Sequence, residues 1–336
     1  MKSTSLAVAA FLSVSLAWAL PASAAVSSTF LIESGYACNT GRAVISGDYV
    51  AYSWGQPAGS YSLHVWNRAT DEWITPAGTN SPRAISGDTL LVARPVSGQP
   101  GLFAKSLSNP AVETFVANGM LADMSGDLVV WQTEAFPGSQ IRGKHLSGGT
   151  EFAISSGQWC ENARISGNFA VWKSNGGLMP MGLFYKNLDT GTETLLSKTG
   201  WDLDVDGNTA VWSENFDGVP AIVARDLLSG ETFTFSAGPG VLSRHQATIS
   251  GTKVVWREFI NSGRQTIMGA DLLTGQEFVV DDSPGAAFLP AIDGNLVTWV
   301  KPVSSQDQAL YGRMIPEPAT LSLLALGGLC LLRRRK

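Results

Sequence analysis

Ile165-Ser166-Gly167-Asn168-Phe169-Ala170-Val171-Trp172 is one copy of a phrase that recurs at Ile45–Tyr52, Ile85–Val92, Met124–Trp131, Val205–Trp212, Ile249–Trp256 and Ile292–Trp299. Its glycines are Gly47, Gly87, Gly126, Gly167, Gly207, Gly251 and Gly294, so the repeat intervals are 40, 39, 41, 40, 44 and 43 residues. A fixed period of that length marks an array of like units, each too small to bury its own apolar face. Two residues before each glycine the chain is apolar, and small or polar residues flank the glycine itself. Gly-Asp and Gly-Asn steps make tight hairpin turns because both residue types tolerate positive φ. An almost unbroken apolar run follows, as in Leu128-Val129-Val130-Trp131, which fits a strand covered on both faces. Five of these runs end in Trp; Tyr52 and Val92 stand there in the other two. A wide ring at one repeated position suits sheets packed face to face.

A second phrase follows 19 or 20 residues after each of the first six glycines. Asn187-Leu188-Asp189-Thr190-Gly191, Asp226-Leu227-Leu228-Ser229-Gly230 and Asp271-Leu272-Leu273-Thr274-Gly275 are its clear copies, and strand-like runs lie on either side. Each repeat therefore holds four antiparallel strands in about 40 residues, which is a propeller blade. The expected fold is all-β: a seven-bladed β-propeller over residues 25–314. The last repeat has a third strand around Leu310–Arg313 but no fourth. The segment Ser27–Glu33, lying 20 residues before Gly47, occupies a fourth-strand slot with no blade of its own. The N-terminal strand is expected to fill the gap and close the ring, satisfying two otherwise open edges. The two phrases together resemble TolB-like propeller repeats over about residues 27–314.

The ends read differently. Residues 1–24 have a basic start at Lys2, an apolar stretch Leu6–Leu20 and a small-residue site at Ala22-Ser23-Ala24, the three parts of a secretory signal peptide. From residue 315 the chain runs through Pro316-Glu317-Pro318, then fourteen uncharged residues Ala319–Leu332, then Arg333, Arg334, Arg335 and Lys336. Fourteen residues make about 21 Å of helix, against about 30 Å of bilayer hydrocarbon. The terminal cations act as a positive-inside stop. This tripartite tail over 315–336 closely resembles the PEP-CTERM sorting signal of bacterial exosortase substrates. The resemblance implies export, a transient membrane helix, processing near Pro316, Glu317 and Pro318 by an exosortase-type enzyme, and delivery to the cell surface or extracellular matrix.

Charge points away from nucleic acid. The formal net charge is −5, and −10 once Lys2 and the four terminal cations are set aside, the wrong sign for a phosphate-binding surface. Two of the three cysteines, Cys38 and Cys160, lie outside the tail, and an oxidising compartment makes them candidates for a disulfide. They sit before blades 1 and 4, nearly opposite in the ring, so free thiols are the alternative.

The innermost strands of a propeller line a central channel. Positions three and five before the glycines supply Arg42, Asp123, Asn162, Arg164, Asp202, Asp204, Gln246 and Thr248, a polar lining of mixed charge read as either a ligand site or a solvated channel. Asp202-x-Asp204-x-Asp206-Gly207 opens like a calcium loop, but the twelfth position is Ser213 instead of Glu, and Asp206-Gly207 is already the blade turn. No resident cofactor or metal is expected, calcium being the one cation that stretch could attract. His64, His145 and His245 occupy different blades and different repeat positions, with no nucleophile elbow, phosphate loop or metalloprotease motif. The favoured reading is a non-catalytic binding or scaffold module for polysaccharide or a surface protein. The alternative is a surface enzyme, a polysaccharide lyase or hydrolase or peptidase-like, with its site on the channel face.

Overall fold

A computed structural model describes residues 28–36, 42–55, 61–75, 80–134, 138–177, 179–305 and 307–315. The signal segment, the tail from Pro316 onward and Cys38 lie outside these residues. Among the described residues, 28 strands form seven four-stranded antiparallel sheets. Six sheets are consecutive in the chain. Blade 4 is representative, with strands Cys160–Ser166, Phe169–Asn175, Met181–Asn187 and Glu193–Ser197 in spatial order.

The seventh sheet contains Phe288–Asp293, Leu296–Pro302 and Asp307–Met314, and its outermost strand is Phe30–Tyr36 from the other end of the chain. Phe30 pairs with Gly312 and Tyr36 with Asp307, antiparallel. The expected closure by the N-terminal strand is present, with the strand starting three residues later than the spacing from Gly47 suggested.

The repeated glycines take φ between +52° and +59° in all seven turns, the left-handed region where a Cβ is penalised. The side chain just before each glycine does more than shape its own turn. Ser86 Oγ accepts the Gly126 N–H at 2.9 Å, Ser125 that of Gly167 at 2.9 Å, Ser166 that of Gly207 at 2.8 Å and Ser250 that of Gly294 at 2.9 Å. Asp206 Oδ2 does the same for Gly251 at 2.6 Å, and Asp293 Oδ2 for Gly47 at 2.7 Å, carrying the ladder across the closure. Six of the seven blades thus cap the turn of the next.

The second phrase is tied to the first within each blade. The N–H of its second residue donates to the carbonyl of the residue after the glycine: Leu107 to Asp88, Leu146 to Asp127, Leu188 to Asn168, Leu227 to Asn208 and Leu272 to Thr252, at 2.7–2.8 Å. Its leading Asn or Asp forms an Asx turn, as where Asn187 Oδ1 accepts the Asp189 N–H at 2.9 Å and Asp226 Oδ1 the Ser229 N–H at 2.7 Å.

Trp131, Trp172, Trp256 and Trp299 are fully buried, and Trp212 is 3% exposed. Each packs onto the preceding blade: Trp131 against Leu91 and Leu102, Trp172 against Val130 and Ile141, Trp256 against Val211 and Ile222. The core is therefore seven apolar layers between blades.

Every one of these five tryptophans faces a bulge. In their blades the innermost strand slips register, so that two residues oppose the single Trp: Leu121-Ala122, Asn162-Ala163, Asp202-Leu203, Gln246-Ala247 and Leu289-Pro290. The first of each pair has positive φ, from 47° at Leu121 to 59° at Gln246. Such a bulge bends the strand and re-aims its side chains. It recurs where an indole must fit beside the channel, and Tyr52 and Val92 face no residue of positive φ.

Candidate functional site in the central channel

All seven innermost strands border a cavity of about 450 Å³. Arg42, Asp123, Arg164, Asp204 and Thr248 line it, as alternation along a strand suggested. Asn162 and Asp202, together with Arg42 and Arg164, border a second cavity of about 160 Å³. Gln246 is drawn into the ring itself. The bulges reset the alternation, so the positions three and five before each glycine do not share one environment.

Most of the lining is engaged in joining blades. Asp123 Oδ2 accepts the Ile165 N–H of the next blade at 2.9 Å. Asp202 Oδ2 accepts the Gln246 N–H at 2.8 Å and lies 3.4 Å from His245 Nδ1. Gln246 Oε1 in turn accepts the Leu289 N–H at 2.9 Å. Asp204 Oδ2 accepts the Thr248 hydroxyl at 2.5 Å and the Ile249 N–H at 3.3 Å. Among the described residues no three His, Cys, Asp or Glu side chains gather to hold a metal ion. Asp202 sits at positive φ in its bulge, so it and Asp204 are not alternate residues on one strand face, which corrects that part of the sequence reading.

Burial sets the ionisation of this lining. Asp123 is pushed up to about 6 by desolvation, against the attraction of Arg164 and the Ile165 N–H. Asp202 moves the other way: desolvation is outweighed by the hydrogen bond from His245, the Gln246 N–H and the Arg42 charge, and its carboxyl lies below the ordinary value. Desolvation also lowers the pKa of Arg42 and Arg83, with help in both cases from the neighbouring Arg164 and, for Arg42, against the attraction of Asp204, Asp202 and Asp123.

Arg83 escaped the sequence reading because it is four residues before Gly87, on the side that strict alternation turns away from the channel. It is the extra residue where Pro82 pairs with Val92 and Ala84 with Leu91, and this slip brings it to the cavity.

The histidines separate as expected. His145 Nδ1 meets Asp127 Oδ1 at 2.9 Å across its hairpin, a turn role. His64 has a different setting at the closure. Its Nδ1 lies 2.9 Å from Glu33 Oε2 and its Nε2 3.0 Å from Ser62 Oγ, while the Tyr52 hydroxyl also donates to Glu33 Oε2. Glu33 belongs to the closing N-terminal strand; Tyr52, Ser62 and His64 belong to blade 1. The group pins blade 7 to blade 1 and explains why Tyr replaces Trp in that blade: a hydroxyl is needed there. Cys160 is a buried free thiol in the apolar layer with Trp172 and Met179, and burial raises its pKa. Its proposed partner Cys38 lies outside the described residues.

Among solved structures, the β-propeller domain of the trilobed protease from Pyrococcus furiosus is similar to this chain at 13% identity, covering 86% of this chain and 97% of that one, with a TM-score of 0.61. The acylaminoacyl peptidase of Pyrococcus horikoshii matches at 15% identity over 85% of this chain and 53% of that one, TM-score 0.60, so this chain spans about half its length. TolB from Acinetobacter baumannii matches at 12% identity over 81% of each chain, TM-score 0.49. At these identities the likeness concerns the fold alone. No curated protein matches the chain. Residues 315–336 match the PEP-CTERM protein-sorting motif, which marks an exported protein whose C-terminal signal is handled by an exosortase-type system. Residues 315–336 thus carry a PEP-CTERM sorting motif, and the part before it is a seven-bladed propeller whose fold is similar to that of the trilobed protease's propeller domain.

Proposed function

We propose that this protein is an exported propeller released to the cell surface or extracellular matrix, where it serves as a non-catalytic binding or scaffold module. The observation that carries the reading is that the channel carboxylates Asp123, Asp202 and Asp204 each accept a hydrogen bond from the next blade. They hold the ring together and are not left as a free acid and base pair. The sorting motif supplies the address. In this reading a signal peptide of residues 1–24 and a sorting tail of 315–336 flank the propeller. In the same reading the tail is processed near the Pro-Glu-Pro box at Pro316, Glu317 and Pro318.

The test is made on the full chain expressed in a host with an exosortase-type enzyme. Intact mass of the surface-released protein is expected to lack residues 319–336, and Glu317→Ala is expected to leave the chain in the membrane fraction. A released mass that retains the apolar segment would overturn the sorting role. The enzyme reading draws on one observation, the raised pKa of Asp123 in a cleft. A turnover screen of the released protein on polysaccharides and peptides separates the two, and turnover abolished by Asp123→Asn would favour the enzyme.

A further inference from the structure

Three arginines reach the channel from three blades, and their hydrogen-bonding capacity is not used up there. Arg42 donates from Nη2 to the Gln246 carbonyl at 3.0 Å. Arg42 and Arg164 approach the same carboxylate, Asp204, only at 4.0 and 3.9 Å. Arg83 forms neither a hydrogen bond nor an ion pair among the described residues, and its Nε is buried without a partner. A guanidinium carries five N–H donors in a planar fork. By contrast, the four carboxylates that line the cavity, Asp123, Asp204, Asp206 and Asp293, each already accept an N–H of a neighbouring blade. Unused guanidinium donors thus border a cavity of about 450 Å³, a volume in the range of small-ligand sites. Ser86, Ser125 and Ser250 also line it; each accepts a glycine N–H and keeps a hydroxyl hydrogen to offer.

We propose that this cavity binds a hydroxyl-rich monocarboxylate of the uronic acid class, with Arg83 and Arg164 gripping the carboxylate and the serine rim meeting the hydroxyls. The inference rests on the reading of the propeller as a binding module and names the chemistry that the module takes. A planar carboxylate suits the guanidinium fork. Arg42, Arg83 and Arg164 share the cavity with Asp123, Asp204, Asp206 and Asp293, so a ligand of one negative charge meets less repulsion there than a dianion.

The full chain, purified in mild detergent, is titrated calorimetrically with sodium glucuronate, glucose and inorganic phosphate. Glucuronate is expected to bind at least tenfold more tightly than glucose or phosphate. Arg83→Gln is expected to weaken glucuronate binding at least tenfold at an unchanged melting temperature, since Arg83 has no hydrogen-bond or ion-pair partner among the described residues to lose. Arg83→Lys, which keeps the charge without the fork, should fall between the two and serves if the Gln variant folds poorly. Failure of the wild type to bind glucuronate, or equal binding by both variants, overturns the site, and tighter binding of phosphate overturns the carboxylate assignment. If a polysaccharide or surface protein is retained while glucuronate is not, this inference falls and the binding-module reading stands. If a bound glucuronide is cleaved, the site stands and the non-catalytic reading falls.

Discussion

Glu33 offers a quantitative test of how the ring is closed. It lies on the N-terminal strand that completes blade 7, just after a register slip between Leu31 and Glu33. Its Oε2 accepts from Tyr52 and lies 2.9 Å from His64 Nδ1, both on blade 1. Glu33→Ala removes the acceptor and leaves two donors partly desolvated. Hydrogen bonds to a charged group contribute about 1.5–3 kcal/mol each. The side chains of Glu33 and His64 are 26% and 19% exposed, so water recovers part of the loss, and about 2–3 kcal/mol in total is a reasonable expectation. For a domain of this size 1 kcal/mol moves the melting temperature by about 2–4 °C, so a fall of roughly 4–12 °C is expected by calorimetry. Tyr52→Phe alone should cost about 1–2 kcal/mol. The double variant should cost less than the sum of the singles, with a coupling of about 1 kcal/mol, because both substitutions break one bond. Ser34→Ala, on the same strand but exposed, should change nothing measurable. A Glu33→Ala protein that melts within about 1 °C of wild type, or strict additivity with Tyr52→Phe, would refute the closure pin.

Two further outcomes follow from the core and the channel. Trp299 is fully buried and its Nε1 has no hydrogen-bond partner among the described residues, whereas Trp212 Nε1 donates to Glu214 at 2.7 Å. Denaturant unfolding should therefore show about 3–5 kcal/mol lost for either Trp→Ala, but Trp299→Phe should cost less than Trp212→Phe by about 1 kcal/mol, the worth of one hydrogen bond. Asp123 has its folded pKa raised from 3.8 to about 6, so its contribution to stability is fully present below pH 3.8 and is lost as pH rises through about 6. Between pH 4 and pH 8 the wild type should lose up to about 2–3 kcal/mol relative to Asp123→Asn, less to the extent that channel water reaches the carboxylate. Parallel unfolding curves for the two proteins across that range would contradict the shift.

The fold was legible because seven copies repeat one period, and the closure because Ser27–Glu33 fell on a strand slot that nothing else filled. The Trp series was legible for the same reason: a large ring at one position in five copies has to be packing. What stayed hidden was the direction of contacts between copies. Ser166 looks like a turn residue in its own blade, yet its hydroxyl serves Gly207 in the next; periodicity says that copies are alike but not which copy a side chain reaches. The bulges were hidden more deeply. Leu121, Asn162, Asp202, Gln246 and Leu289 share a positive φ but no chemistry, and two are leucines, which a local propensity would never place there. Their conformation is imposed from outside, by the indole opposite and, at Gln246 and Leu289, by a side-chain acceptor from the preceding blade. The same slip decides the channel. Alternation named Asp123, Asp202 and Asp204, each of which accepts a bond from the next blade, and passed over Arg83, whose Nε is left without a partner among the described residues. A binding residue in such a ring is recognised by subtraction. Once the bonds that join blade to blade are assigned, what remains facing the cavity is the Arg83 guanidinium, with no hydrogen-bond partner among the described residues, and an acceptor in the plane of its fork is what a ligand would have to bring.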